Sequence, residues 1–220
     1  MILPDTAGCV WIVRVVVDCL SWAGVLAVAP QFPDPGMVIY YTWIAWLFVW
    51  VLLAFGRKRA EKRQPRGQRL LHVISMFAAA YLLYRDQPWF GALNRRFFPP
   101  AMWAAETGMW MTLFGAAFAI WARLHLGKNW SGEVTIREDH QLIRSGPYTS
   151  IRHPIYTGML LALAGTALAI GEYRALLGFA VFAVGIVQKA KKEEAMLAQE
   201  FGASFEEHKT KTGFLLPKLG

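Results

Sequence analysis

Long apolar runs set apart by short polar turns are what most limits how this chain can fold. Val10 to Ala29, Met37 to Gly56 and Ala101 to Arg123 are long apolar runs, while Leu70 to Tyr84, Pro154 to Gly171 and Ala175 to Lys189 are shorter ones. Crossing a hydrocarbon layer about 30 Å thick takes about 20 apolar residues of helix, fewer where the helix continues into protein or the bilayer thins. Backbone N–H and C=O groups in lipid must bond within the segment, which leaves helices as the spanning form for runs of this length. The expected architecture is all-α, a polytopic membrane helical bundle of about six transmembrane helices, with five as the alternative count. Composition agrees, since 55% hydrophobic and 17% charged residues, with ten Trp among 220, exceed what a soluble core of this size needs.

Turn chemistry punctuates the runs. Gln31 to Gly36 is rich in Pro, Asp and Gly, and Gly171-Glu172-Tyr173-Arg174 is tighter still, so the last two spans must form an antiparallel hairpin. Orientation follows from the basic residues. Arg57, Lys58, Arg59, Lys62, Arg63, Arg66 and Arg69 oppose a single Glu61, placing segment 57–69 in the cytoplasm. Alternation then puts both termini, the loop at 124–153 and the tail at 189–220 on that same side, with any active site there facing the cytoplasm. The loop at 85–100 falls outside, although Arg85, Arg95 and Arg96 run against the rule.

The formal charge of +8 lies mainly in loops between apolar runs. It reads as a topology signal and a contact for anionic membrane lipids, not as a nucleic-acid surface. Cys9 and Cys19 make neither a disulfide framework nor a metal site. Ala27-Val28-Ala29 resembles a signal-peptide cleavage site, but no basic region precedes the first run and Arg14 and Asp18 interrupt it, so an uncleaved first span is expected. With no internal repeat, the chain reads as a single integral membrane domain over 1–220. Residues 1–123 form a helical scaffold and 124–220 a catalytic region.

Most polar residues have structural explanations. Arg14 and Asp18 are four apart and can neutralise each other on one helix face. Trp43, Trp46 and Trp50 form a helical stripe suited to packing or interface anchoring. His72, His125, His140, His153 and His208 show no pair at metal spacing, so no metal is expected. His153 differs because Pro154 is suited to the first position of a helix, where a missing N–H costs nothing. Arg152 and His153 then sit at a helix start whose free amides and dipole favour anions. Tyr156 follows three residues on, and Gly158 permits close approach of a helix or ligand. Lys189 and Glu193 share a helix face at a spacing of four where the last span leaves the membrane. The hairpin brings the two clusters together, and the joint site suits a zwitterionic ligand.

These segments resemble the isoprenylcysteine carboxyl methyltransferase family, whose wider group includes the membrane phospholipid methyltransferases. The matching text is His140-Gln-Leu-Ile-Arg-Ser-Gly-Pro-Tyr148, Arg152-His-Pro-Ile-Tyr156-Thr-Gly158, and Glu193-Glu194 followed by Leu197 and Phe201-Gly202. Leu126-Gly127 through Trp130-Ser131 fits upstream, and the likeness covers roughly residues 120–217. It implies methyl transfer from S-adenosylmethionine to a lipidic or prenylated acceptor. By position, it implies that Glu133, His140, Gln141, Leu142 and Ile143 line the cofactor pocket. Tyr148, His153, Pro154, Ile155 and Tyr156 hold the cofactor's amino-acid end, and Glu193 adds a polar anchor. Lys189 stands where the prenylcysteine enzymes carry an Arg near the substrate, and Lys cannot make the planar two-pronged contact to a carboxylate.

A carboxylate acceptor is ionised at neutral pH and needs no general base, so positioning and exclusion of water dominate. Arg152 or Lys189 would orient it, and the lipid tail would enter beside Gly158, Ala162 and Gly165. Phospholipid amine N-methylation is the alternative, requiring His153 or a Glu as base. A non-enzymatic lipid-binding scaffold is a third. No glycine-rich motif follows a strand, so a soluble Rossmann-type methyltransferase is not supported.

Overall fold

A computed structural model of the chain describes residues 33–53, 60–63, 66–84, 87–127, 135–137 and 142–218. The chain divides into Met1–Asp34 and Pro35–Gly220, and all the described helices belong to the second unit. The expected first span, its Arg14 and Asp18, and both cysteines lie outside the described residues. The other five expected spans each correspond to a helix.

These helices are α1 (Pro35–Leu52), α2 (Arg66–Tyr84), α3 (Met102–Leu126), α4 (Pro154–Ile170) and α5 (Tyr173–Phe201), followed by a short α6 (Ala203–Lys211). Two 3-10 segments, Pro88–Asn94 with a kink at Gly91 and the single-turn Gly146–Thr149, precede α3 and α4. By length and composition α1, α3 and α5 can each cross a membrane, while α2 contributes an apolar stretch at Val73–Leu83 and α4 is a shorter apolar helix. The outer surface is apolar too. On α1, Met37, Tyr40, Tyr41, Ile44, Leu47, Phe48 and Val51 are all exposed at helical spacing. A stripe of that kind facing water would be a large unburied patch, whereas facing acyl chains it is in its proper solvent. The chain is a multi-pass membrane protein.

The opposite stripe of α1 packs inward, as expected for Trp43, Trp46 and Trp50. The Trp46 and Trp50 rings stack at 4.3 Å, and the Trp43 indole N–H donates to Thr166 Oγ1 at 3.0 Å. The helices line up in space as α1, α3, α4, α5 and α2, each packed on its neighbours in that row.

The tightest seam is α3 against α4. Gly108, Thr112, Gly115 and Ala119 on α3 meet Gly158, Ala162 and Gly165 on α4, all buried. A Cβ placed on Gly158 would lie 2.6 Å from both Ala119 N and Gly115 O. The small residues therefore permit backbone-to-backbone contact, the usual way helices associate in lipid. This corrects the expected entry for a lipid tail beside Gly158, Ala162 and Gly165, because α3 already occupies that face. Thr112 Oγ1 seals the seam, donating to Gly108 O at 2.8 Å and lying 3.1 Å from Ala162 O.

Two further features depart from the sequence reading. The first is a two-stranded antiparallel ribbon, β1 (Ala60–Arg63) with β2 (Thr135–Arg137), in what was expected to be an all-helical chain. It joins the basic loop after α1 to the loop before α4, in keeping with the two loops sharing one side. The second is α5, which runs on through Lys191 to Phe201 where the apolar run ends at Lys189. Lys, Glu, Ala, Met, Leu and Gln are all good helix formers, so nothing stops the helix before Gly202 with its φ of 50°. At about 43 Å it exceeds a bilayer's hydrocarbon thickness.

Arginines finish several helices. Arg96 donates to Ile170 O at 2.8 Å at the end of α4, and Arg174 donates to Leu82 O and Leu83 O at the end of α2. Arg123 reaches Leu53 O just past α1 at 2.6 Å. Free carbonyls and the negative dipole end of a helix favour a guanidinium. Arg96, which ran against the charge rule, thus has a structural task. The loop around it also pairs with the α4–α5 turn, through Phe97 N–H to Gly171 O and Tyr173 N–H to Arg95 O.

Candidate functional site

The α4–α5 hairpin sets the register of the site. Pro154 opens α4, and Gly171 closes it in the left-handed conformation with φ 69°, its N–H bonded to Ala167 O. The return helix then brings Lys189, Glu193 and Glu194 alongside Arg152, His153 and Tyr156. Along α5, Lys191 and Lys192 are exposed while Lys189, Glu193 and Glu194 are half-buried. The charge run is therefore a solvated face on one side and part of the site on the other.

The central contact is the Tyr156 hydroxyl donating to Glu193 Oε1 at 2.6 Å. His153 is buried and lies between the two carboxylates, with Nδ1 3.7 Å from Glu193 Oε2 and Nε2 3.3 Å from Glu194 Oε1. The second distance is short but not in line with the ring N–H, so Nε2 has no hydrogen-bond partner among the described residues. The imidazole stacks on Tyr156 with centroids 5.6 Å apart and an interplanar angle of 16°. Lys189 Nζ sits over the other functional ring, 5.5 Å from the Tyr156 centroid.

Arg152 is engaged differently from expectation. Its Nε donates to Glu194 Oε1 at 2.5 Å, and one terminal nitrogen donates to the Thr212 carbonyl. The amides at the α4 start are engaged as well, with Arg152 N–H on Gly213 O at 2.9 Å and His153 N–H on Phe214 O at 3.2 Å. The anion-binding amides expected at these two positions are thus occupied by the chain's own tail. Thr157 Oγ1 adds a bond to Leu215 O at 2.6 Å, and the Phe214 ring meets His153 edge-on at 5.1 Å. Residues 212–215 are the part of the site that sequence reasoning missed. Their contacts are made largely by backbone carbonyls, which every sequence supplies.

Of the remaining expected residues, Pro154 and Ile155 are buried at the α4 start, and Leu142 and Ile143 are half-buried in the irregular segment leading to the 3-10 turn. Tyr148, in that turn, is buried with its hydroxyl 3.4 Å from Ala122 O. Burial, reinforced by the negative charge of Glu193, pushes its phenol pKa well up, so it remains a neutral donor. Glu133, His140 and Gln141 lie outside the described residues. Beside the site, Arg144 ties the loop to α6 through Ser204 Oγ at 2.5 Å.

Residues 108–199 match the profile of the isoprenylcysteine carboxyl methyltransferase (ICMT) family, a stretch that runs from the α3 seam through Arg152, His153 and Tyr156 to Glu193 and Glu194. Through this stretch the chain is similar to the ICMT family. A protein-S-isoprenylcysteine O-methyltransferase of Schizosaccharomyces pombe is 31% identical over 44% of this chain and 43% of its own length. The chain thus spans less than half of that ICMT relative. A cobalt-zinc-cadmium resistance protein, CzcN, of Cupriavidus metallidurans is 28% identical over 67% of this chain and 62% of its own length. Among solved structures, a eukaryotic intramembrane Ras methyltransferase of the ICMT type aligns with TM-score 0.47 and 21% identity, covering 70% of this chain and 53% of that one.

Proposed function

We propose that this chain is an S-adenosylmethionine-dependent integral membrane methyltransferase that O-methylates the carboxylate of an isoprenylcysteine-like lipid at the cytoplasmic face. The observation that carries the reading is the joining of Tyr156 and Glu193 at 2.6 Å beside a buried His153 whose Nε2 has no hydrogen-bond partner among the described residues, all on residues matched by the family. Two carboxylates, an imidazole and a phenol make a donor set that fits a ligand with an ammonium and hydrogen-bonding groups. Glu193 would take the ammonium of S-adenosylmethionine, held in line by Tyr156. His153 Nε2 would find in the ligand the partner it lacks. The bound cofactor supplies an electrophilic methyl group on a sulfonium.

The acceptor is assigned from the charge of the site, because the relatives' names range from prenylcysteine methylation to metal resistance. A carboxylate with pKa about 3.5 is fully ionised at neutrality, so no residue need remove a proton. What it needs is a cation to orient it. Of the two candidates, Arg152 is held by Glu194 and Thr212 in the tail, and Lys189 lies over Tyr156 on the α5 face shared with Glu193, the proposed cofactor anchor. Lys189 is the proposed acceptor contact, a single-pronged ammonium where a guanidinium would grip the carboxylate with two parallel hydrogen bonds.

The test is labelled-methyl transfer to a prenylcysteine analogue and to phosphatidylethanolamine, side by side between about pH 6 and 8. Methylation of the analogue, without a rise that tracks loss of an acceptor proton, is expected. Lys189→Arg should be tolerated or improve use of the analogue, and Lys189→Ala should lower activity while leaving cofactor affinity intact. Turnover of the amine alone, steepening with pH and indifferent to Lys189, would establish N-methylation instead. A wild-type protein that binds no S-adenosylmethionine would leave the lipid-binding scaffold.

A further inference from the structure

Residues 212–215 fall outside the stretch matched by the family, yet they bond to the site at several points. We propose that Arg152 is a positioning residue whose guanidinium clamps this tail against Glu194, so that Phe214 fixes the His153 ring and the tail forms one wall of the cofactor site. The inference rests on the methyltransferase reading above.

The clamp needs the shape of arginine. Nε serves Glu194 on α5 at 2.5 Å while a terminal nitrogen serves the Thr212 carbonyl and lies 3.4 Å from Lys209 O and from Thr212 Oγ1. One planar fork therefore joins the α4 start, α5 and the tail, and an ammonium has no second prong with which to do so. The tail then runs beside residues 151–157. Gly213 N–H bonds Ser150 O at 2.9 Å, Ile151 bridges Gly213 in parallel, and Thr157 Oγ1 holds Leu215 O.

The consequence falls on His153. Its Nε2 makes no hydrogen bond among the described residues, so packing, with the two nearby carboxylates, holds the ring. Tyr156 stacks on one face and the Phe214 ring abuts its edge, with the Arg152 guanidinium carbon 5.9 Å from the Phe214 centroid. A ring fixed before the ligand arrives costs less to order on binding.

The clamp and the acceptor-contact alternative for Arg152 predict opposite kinetics. With the full chain in nanodiscs, cofactor affinity is measured by calorimetry and KM is measured separately for S-adenosylmethionine and for a prenylcysteine analogue. Arg152→Lys should raise the cofactor KM by about tenfold or more, from loss of a charged hydrogen bond, and leave the acceptor KM unchanged. Phe214→Ala should raise it about three- to tenfold, from one side chain's lost order, and Phe214→Tyr should restore it. A rise confined to the acceptor KM, or no change in either variant while the wild type binds, overturns the clamp alone. Failure of the wild type to bind sinks the functional reading itself. Should the variants not fold, the wild type suffices. S-adenosylmethionine should slow tryptic cleavage after Lys209 and Lys211, and cleavage at the same rate with the cofactor bound overturns the clamp.

Discussion

Gly158→Ala tests whether the α3–α4 seam fixes the site. A methyl group at this position would sit 2.6 Å from Ala119 N and Gly115 O and 2.9 Å from Ala119 Cβ, where ordinary contact begins near 3.4 Å. Both offending nitrogen and oxygen belong to backbone, so no rotamer change relieves them and the helices must part by several tenths of an ångström. Overpacking costs roughly 1–3 kcal/mol, and a gap of 0.5–1 Å forfeits about a quarter to a half of each dispersion contact along the seam. Alanine's better helix propensity returns at most about 1 kcal/mol. The net loss is about 2 kcal/mol, a shift of roughly thirtyfold in the unfolding equilibrium. The assay is unfolding by titrated denaturing detergent in mixed micelles. Gly178→Ala serves as the graded comparison, since its Cβ would meet Ala79 O at 3.0 Å and Leu82 Cβ at 3.1 Å. Gly158 lies only one turn past His153, so parting the seam should also weaken cofactor binding. A Gly158→Ala protein as stable as wild type, or no more affected than Gly178→Ala, would refute the close-packed seam.

Three further outcomes are expected. In calorimetry with S-adenosylmethionine on folded variants, His153→Ala and Glu193→Ala should weaken binding severely and Tyr156→Phe modestly; unchanged affinity in all three would refute a site shared between α4 and α5. His208 is buried, and that burial, with Arg144 and Arg152 nearby, lowers its pKa. The unfolded chain therefore takes up the proton first, and stability should fall as pH drops through about 6.5 and level off below the lowered folded value. His208→Asn should flatten that part of the thermal-unfolding profile, and a slope unchanged by the substitution would exclude His208 as its source. Topology is tested with single cysteines at His140 or Thr210 in a background lacking Cys9 and Cys19, where an impermeant reagent added outside should fail to react; labelling at either would overturn the cytoplasmic placement.

The hairpin and its two clusters were legible because local chemistry announces them. Pro154 is suited to a helix start, the turn at Gly171 leaves only an antiparallel return, and the helical repeat puts Lys189 and Glu193 on one face. The α3–α4 seam was half legible. Gly158, Ala162 and Gly165 signalled a close approach, but the occupant was misread as lipid. The matching series Gly108, Thr112, Gly115 and Ala119 on α3 was the available clue. The β1–β2 ribbon carries no alternating apolar pattern, being a pairing of polar loops, and hydropathy is blind to it. The extension of α5 past Lys189 was hidden by equating the end of an apolar run with the end of a helix. The tail at 212–215 left no pattern to find, since its part in the site is played mostly by carbonyl oxygens.

That tail also bears on the order of assembly. A ribosome synthesises Arg152 and His153 well before residues 212–215. Until then Arg152 lacks the Thr212 carbonyl, and its amide and that of His153 lack their acceptors on Gly213 and Phe214. A chain that holds every helix but not this tail is without one side of its site. A released chain shortened to end at Lys211 should therefore keep its threaded helices and lack a completed binding pocket.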